Sequence, residues 1–341
     1  MTDPTEHMLA ILRRDGRAPY SKIARELKTN REFVASRIHP LVKSGRLRIV
    51  AGVHPKILGL DVAAHLSIRV GGNIKRIVAA IDALDAPNLI SVVVGSFQII
   101  VELRLRSMAQ LRLEIGAIRA IKGVREVHVL LYEEVLMSFF QGGEPGMDTT
   151  QLDAFDVAII RRLANDGRAN FADIATAVGL SLSGCRMRVQ KLIESNVIHV
   201  GAIKQRADMT DILLFGIGAN TRESDRDVIE LLSAQPRLEF LGRTVGRFDL
   251  LATVGFGSLA EFNALVTKLR SLPSVTDCEQ WLHVSLVRER YEQTLDWLEA
   301  FCPKKTRERS MLRRSSGVGG TDSAVRRTGS TEKKQLFDDL E

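Results

Sequence analysis

Residues 152–198 read LDAFDVAIIRRLANDGRANFADIATAVGLSLSGCRMRVQKLIESNVI, and their periodicity decides the fold. Leu152, Phe155, Ile159, Ile160 and Leu163 recur at helical spacing. Asn170 is placed to cap a second helix, whose apolar face is Phe171, Ile174, Ala175 and Val178. Gly179-Leu180 then makes a tight turn, and Ser181 caps a third helix buried through Cys185, Val189, Leu192 and Ile193. Two short helices joined by so brief a turn, behind a packing helix, form the helix-turn-helix pattern. Val197–Val200 follows as a strand.

The same stretch exists twice. Asp15-Gly16-Arg17-Ala18 recurs as Asp166-Gly167-Arg168-Ala169, an offset of 168 − 17 = 151. At that offset Ile23-Ala24 falls on Ile174-Ala175, Arg37 on Arg188 and Leu41 on Leu192. Val94-Gly95 and Phe97 fall on Val245-Gly246 and Phe248, and Val124 on Val275. A period this long, held without slippage, means two copies of a whole unit and not a solenoid.

Behind each helical part the pattern changes. The first copy shows a strand (Val62–Val70), a helix (Ile74–Leu84), two strands meeting near Gly95-Ser96, a helix (Ala109–Ile121) and a strand (Val124–Leu131). The second shows Ile212–Ile217, Asp227–Ser233, two strands around Gly246-Arg247, Leu259–Leu269 and Val275–Val284. The order βαββαβ describes a ferredoxin-like sandwich, an antiparallel sheet with two helices on one face. Its other face needs a cover, so association is expected. The fold class is therefore α+β, with two tandem units, each a winged helix-turn-helix followed by a ferredoxin-like domain. The boundaries expected are 1–50 and 51–140 for the first unit, a linker at 141–150, 151–200 and 201–300 for the second unit, and a basic, disordered tail at 301–341. A ten-residue linker spans at most roughly 33–36 Å, enough for the two sheet domains of one chain to pair as a pseudo-dimer.

The third helix of a helix-turn-helix enters the major groove and presents its N-terminal residues to base edges. In the second unit those are Ser181, Ser183, Arg186 and Arg188, and in the first Asn30, Arg31, Ser36 and Arg37. Arginine suits the task because its planar fork can bond guanine twice. Residues 1–50 hold 11 Lys/Arg against 5 Asp/Glu, while 148–200 hold six of each, so the first copy should grip phosphates harder. Pro40 lies inside its third helix and is expected to kink it or end it early.

With these residues in view, the chain resembles the Lrp/AsnC (leucine-responsive, feast/famine) family, strongly in the second unit and more weakly in the first. The resemblance spans about residues 5–140 and 150–290. It implies a transcription regulator that binds double-stranded DNA and associates through its sheet domains, with a homo-oligomer as the expected state. It also implies an amino-acid-like effector near a Gly-x-x-Asp turn, which Val245-Gly246-Arg247-Phe248-Asp249 resembles. The expected effector residues are Gly246, Arg247 and Asp249, with Gly95 and Gln98 as their counterparts; Gln98 stands where the family has Asp. A carboxylate can hold an ammonium group by a charge-assisted bond, so the second unit is expected to supply the main sensing site.

Composition narrows the alternatives. Of 341 residues, 45% are hydrophobic and 26% charged, ordinary globular values, and no apolar run is long enough to span a bilayer. Three scattered cysteines and a start without a signal-peptide core point to the cytoplasm. No metal-ligand spacing, P-loop, dinucleotide fingerprint or nucleophile elbow occurs, so no cofactor, metal or catalytic residue is expected. Two alternatives stay open: a sirohaem decarboxylase-like enzyme, which shares this architecture, and an oligomeric ligand sensor that does not bind DNA. Against the enzyme, Arg48–Leu60 offers only His54 and Lys56, and Gly201–Thr210 only Lys204 and Arg206, to hold a tetrapyrrole's carboxylates.

Overall fold

The structure is a computed structural model that describes residues 4–138, 144–146, 152–204 and 212–290. The expected linker, apart from 144–146, and the expected tail lie outside the described residues. The first unit begins with α1 (Pro4–Arg14), α2 (Tyr20–Glu26) and α3 (Arg31–Lys43), followed by β1 (Leu47–Val53) and a short 3₁₀ turn at Pro55–Leu58. The second begins with α6 (Ala154–Asn165), α7 (Phe171–Val178), α8 (Leu182–Glu194) and β6 (Ile198–Lys204). The caps are as the sequence implies. Asn170 accepts from Ala172 N, Ser181 from Gly184 N, and Gly179 ends α7 in the left-handed region at φ 79°. Pro40 does not stop its helix: α3 runs on to Lys43 and matches α8 in length, 13 residues each. A helix tolerates proline when the amide it removes lies on an exposed face that water can satisfy, and Pro40 is exposed.

β1 and β6 pair antiparallel as a two-stranded ribbon from Leu47↔Lys204 to Val53↔Ile198. The two helical units pack on this ribbon, and their apolar residues form one continuous core that includes Leu12, Ile38, Leu163 and Leu192. Gly16 N donates to Val200 O at 2.8 Å, and Gly167 N donates to Ile49 O at 2.7 Å. A Cβ at either glycine would lie within 3.0 Å of the opposite strand, which accounts for the glycine in both copies of the Asp-Gly-Arg-Ala motif.

The sheet parts are β2 (Val62–Val70), α4 (Ile74–Asp82), β3 (Pro87–Val94), β4 (Ile99–Leu105), α5 (Met108–Arg119) and β5 (Val124–Ser138), then β7 (Leu213–Thr221), α9 (Arg226–Ser233), β8 (Leu238–Val245), β9 (Leu250–Phe256), α10 (Leu259–Ser271) and β10 (Val275–Glu289). Each unit orders its strands as the expected sandwich does, β3-β4-β2-β5 and β8-β9-β7-β10. The two sheets then close on each other as an eight-stranded barrel through the seams β5–β8 and β10–β3. Both seams have the same register: Leu131 faces Val245, and Leu282 faces Val94, 151 residues on in each case. Both also carry irregularities at matching places, Tyr132/Glu134 with His283/Ser285 and Val135/Met137 with Leu286/Arg288. The face that each sheet would leave bare is covered by the other sheet of the same chain.

β5 and β10 are longer than their sequence reading, which ended at Leu131 and Val284. The added residues build the seams. Several of them, among them Glu133, Glu134 and Val287, are exposed, and burial along them lacks the regular alternation of a half-exposed strand.

The ribbon also carries a pH dependence. His54, 4% exposed, follows β1, and burial lowers its pKa from 6.5 to about 4. The unfolded histidine binds its proton first as pH falls, so stability is intact above 6.5 and declines down to about 4. At pH 5 the loss from this one group is roughly 2 kcal/mol. His54→Asn keeps an acceptor for Lys56 N, which bonds Nδ1 at 3.2 Å, and removes the titration. Urea unfolding at pH 7 and pH 5 should show a smaller difference for the variant; an unchanged difference would mean that His54 is not held neutral.

Candidate nucleic-acid interface

Asn30 and Ser181 cap α3 and α8, accepting from Phe33 N at 2.7 Å and Gly184 N at 3.1 Å. Both are therefore committed to starting α3 and α8, which is a physical reason for a polar residue there. Ser36 Oγ donates to Phe33 O within α3. Arg31, Arg37, Ser183 and Arg186 are exposed. Arg37 lies over the Phe33 ring and Arg186 over the Phe171 ring, at 5.3 and 5.5 Å, arrangements that orient a guanidinium without consuming its donors.

Arg188 differs. It pairs with Asp156 at 2.7 Å and Asp153 at 2.9 Å, and so ties α8 to the N-terminus of α6. Although burial alone would lower its pKa, the bonds and charge of Asp156 and Asp153 raise it above the usual arginine value. The geometry thus assigns Arg188 to packing. In the first unit Thr5 stands where Asp156 would be, and Arg37 is exposed. Arg188→Ala should cost about 2–3 kcal/mol in urea unfolding, because the Asp156 side chain, only 10% exposed, loses its partner; the figure is below that of a fully buried pair. Its effect on DNA affinity should be smaller than that of Arg186→Ala, and the reverse ranking would return Arg188 to the base-reading set.

The repeated Asp-Gly-Arg-Ala motif holds the two helical units in one arrangement. Arg17 Nη1 and Nη2 donate to Gly167 O at 2.6 Å and Ala169 O at 3.1 Å, while Arg168 Nη2 donates to Ala18 O at 3.0 Å. Arg17 also lies over Phe171 and Arg168 over Tyr20, at 4.3 and 4.7 Å. Burial first, and then the charge of Arg168, lower the pKa of Arg17. Sequence reading used this motif as a marker of the repeat and missed its reciprocal reach. It also missed Leu182 and Met187, apolar residues 48% and 68% exposed on α8. Their signal was their position off the buried stripe of Cys185, Val189 and Leu192. Exposed apolar groups on a helix that entered a major groove would suit thymine methyls.

The turns expected to hold an effector are engaged in the barrel. Asp249 Oδ2 accepts from Thr221 N at 2.7 Å, and Gln98 Oε1 accepts from Val70 N at 3.1 Å. Thr221 and Val70 are equivalent, so carboxylate and amide do the same work. Arg247 pairs with Glu279 at 2.8 Å. A Cβ on Gly95 would lie 3.0 Å from Trp281 Cβ, and one on Gly246, at φ 143°, 2.8 Å from Leu130 Cδ2. These glycines let each turn lie against the other unit's last strand.

Among the described residues no helix is long and apolar enough to cross a membrane, and no group of His, Cys, Asp and Glu could hold a metal ion. Comparison with known proteins supplies a family for the helical part: residues 152–193 match the AsnC-type helix-turn-helix domain. The glutamate uptake regulatory protein of Zymomonas mobilis subsp. mobilis is 28% identical over 137 residues, which cover 37% of this chain and 80% of that protein. The proline dehydrogenase transcriptional activator of Rhizobium radiobacter is 26% identical over 147 residues, 41% of this chain and 94% of that protein. Each relative thus corresponds to less than half of this chain. The siroheme decarboxylase NirDL, solved in co-complex with an iron-uroporphyrin III analogue, covers 91% of this chain and 100% of its own at a TM-score of 0.56 and 13% identity, a likeness of fold. The second helical unit therefore matches an AsnC-type helix-turn-helix domain, on a chain similar in sequence to HTH-type transcriptional regulators.

Proposed function

We propose that this chain is a cytoplasmic, sequence-specific DNA-binding transcription regulator that supplies both reading helices of a helix-turn-helix pair by itself. The observation that carries the reading is the exposure of Arg31, Arg37 and Arg186 on α3 and α8, in a body held by the reciprocal bonds of Arg17 and Arg168. The two copies are chemically unequal, so the preferred site is a pair of unequal half-sites. Selection from a random duplex pool, with affinity then followed at rising salt, tests this. Convergence on two half-sites and a steep loss of affinity with salt are expected; no binding even at low salt would contradict it.

Homo-oligomerisation and response to an amino-acid-like effector belong to the same proposal and rest on the family likeness. For the turn, calorimetry with an amino-acid panel on wild type and Asp249→Asn is decisive, because an amide oxygen can still accept from Thr221 N. Binding lost in the variant supports a sensor there, and binding indifferent to it removes the turn from the proposal.

The likeness in fold to NirDL favours a second reading, an enzyme acting on a tetrapyrrole. The barrel cavity measures about 150 Å³, below the roughly 300–1,000 Å³ typical of pockets for drug-sized ligands. Titration with an iron tetrapyrrole, followed by a shift of its Soret band, distinguishes the two readings.

A further inference from the structure

The barrel holds a partly open cavity lined by residues of both units. One wall, from the first unit, is polar: Glu102 accepts from Tyr132 Oη at 2.9 Å and lies 2.7 Å from His65 Nδ1. Beside it, the half-buried Arg104 lies over the Tyr132 ring at 5.2 Å, and among the described residues its buried Nη1 has no hydrogen-bond partner. Glu102 is thus taken by Tyr132 and His65, while a cation stands next to it with a donor unused. The second unit contributes Trp281, 5% exposed, whose Nε1 also lacks a partner among the described residues.

Pseudo-symmetry does not duplicate this arrangement. At the offset of 151, Glu102 becomes Thr253, Arg104 becomes Gly255, Tyr132 becomes His283 and His65 becomes Gly216. Among the described residues this arrangement therefore occurs once, although Glu239, Thr253, His283, Glu289 and Arg290 also line the cavity from the second unit. A buried donor without a partner costs stability, so two on the walls of one cavity call for an acceptor from outside the chain.

We propose that the cavity is a binding site, one per chain, for a small carboxylate with an apolar body: the carboxylate pairs with Arg104, and a further acceptor or π-face meets Trp281. The volume of about 150 Å³ matches an engineered cavity that admits benzene, so the ligand has on the order of six to ten non-hydrogen atoms. Eight-stranded barrels are just wide enough to hold one such molecule. The binding claim does not depend on DNA recognition.

Benzoate is the probe, with benzamide as its uncharged counterpart of equal size. Calorimetry on the full chain should give one benzoate site per chain, with benzamide at least tenfold weaker. Arg104→Gln should lose tenfold or more for benzoate and little for benzamide. The wild-type contrast between the two probes stands even if that variant fails to fold. Benzoate should change tryptophan emission, and Trp281→Phe should abolish the change. Absence of benzoate binding, equal affinity for both probes, or benzoate affinity unchanged in a folded Arg104→Gln variant would overturn the proposal.

Discussion

Replacing Arg31, Arg37 and Arg186 together with alanine is expected to lower affinity for a selected operator by a hundredfold or more, with little change in stability. Each bidentate base contact contributes roughly 1–3 kcal/mol of discrimination, and three such losses leave at least about 3 kcal/mol. Because all three side chains are exposed, each change should alter unfolding free energy by only about 0.5 kcal/mol. Fluorescence anisotropy on the operator and on a scrambled duplex separates base reading from phosphate contact. Loss on the operator should exceed loss on the scrambled duplex. Equal affinity of variant and wild type for the operator would mean that α3 and α8 do not read it.

The second large effect concerns the barrel. Trp281 on β10 faces Gly216 on β7, and the equivalent pair is Leu130 facing His65. The second unit thus pairs a very large side chain with glycine where the first pairs two of similar, intermediate size. A Cβ on Gly216 would lie 2.0 Å from Trp281 Cε2. Gly216→Ala should therefore displace the indole and destabilise the barrel by about 1–3 kcal/mol or more. Trp281→Leu, which installs the residue of the first unit, leaves room for that methyl. The double variant should be more stable than the sum of the two single changes implies, with a coupling of at least about 1 kcal/mol. Additive losses in urea unfolding would mean that the contact does not limit packing.

Much of the fold was legible because a single period of 151 carried it. Caps, apolar stripes and turn glycines in the second unit are strong local signals, and its second and third helices begin where Asn170 and Ser181 place them. The first unit is fainter for a physical reason. Lys28 holds the left-handed position, φ 52°, that Gly179 holds in the second, and residues without glycine's freedom give no turn signal. The seam residues Tyr132–Ser138 and Ser285–Glu289 were missed because their pairing partners lie more than a hundred residues away. The candidate interface was legible by residue type and less so by role. Arg188 and Arg186 look alike in sequence, and only the approach of Asp153 and Asp156 separates them. Asp249 and Gln98 look unlike, yet each accepts from the same backbone position.

The central claim is that one chain presents two reading helices to one DNA site. Hydroxyl-radical footprinting of the selected operator, at a protein concentration titrated to stoichiometry, tests it most directly. Backbone protection is expected in two segments about one helical turn, or 10–10.5 base pairs, apart. Saturation should occur at one chain per pair of half-sites, and Arg31→Ala should weaken one segment while Arg186→Ala weakens the other. A single protected segment, or two segments that both respond to one arginine, would contradict it.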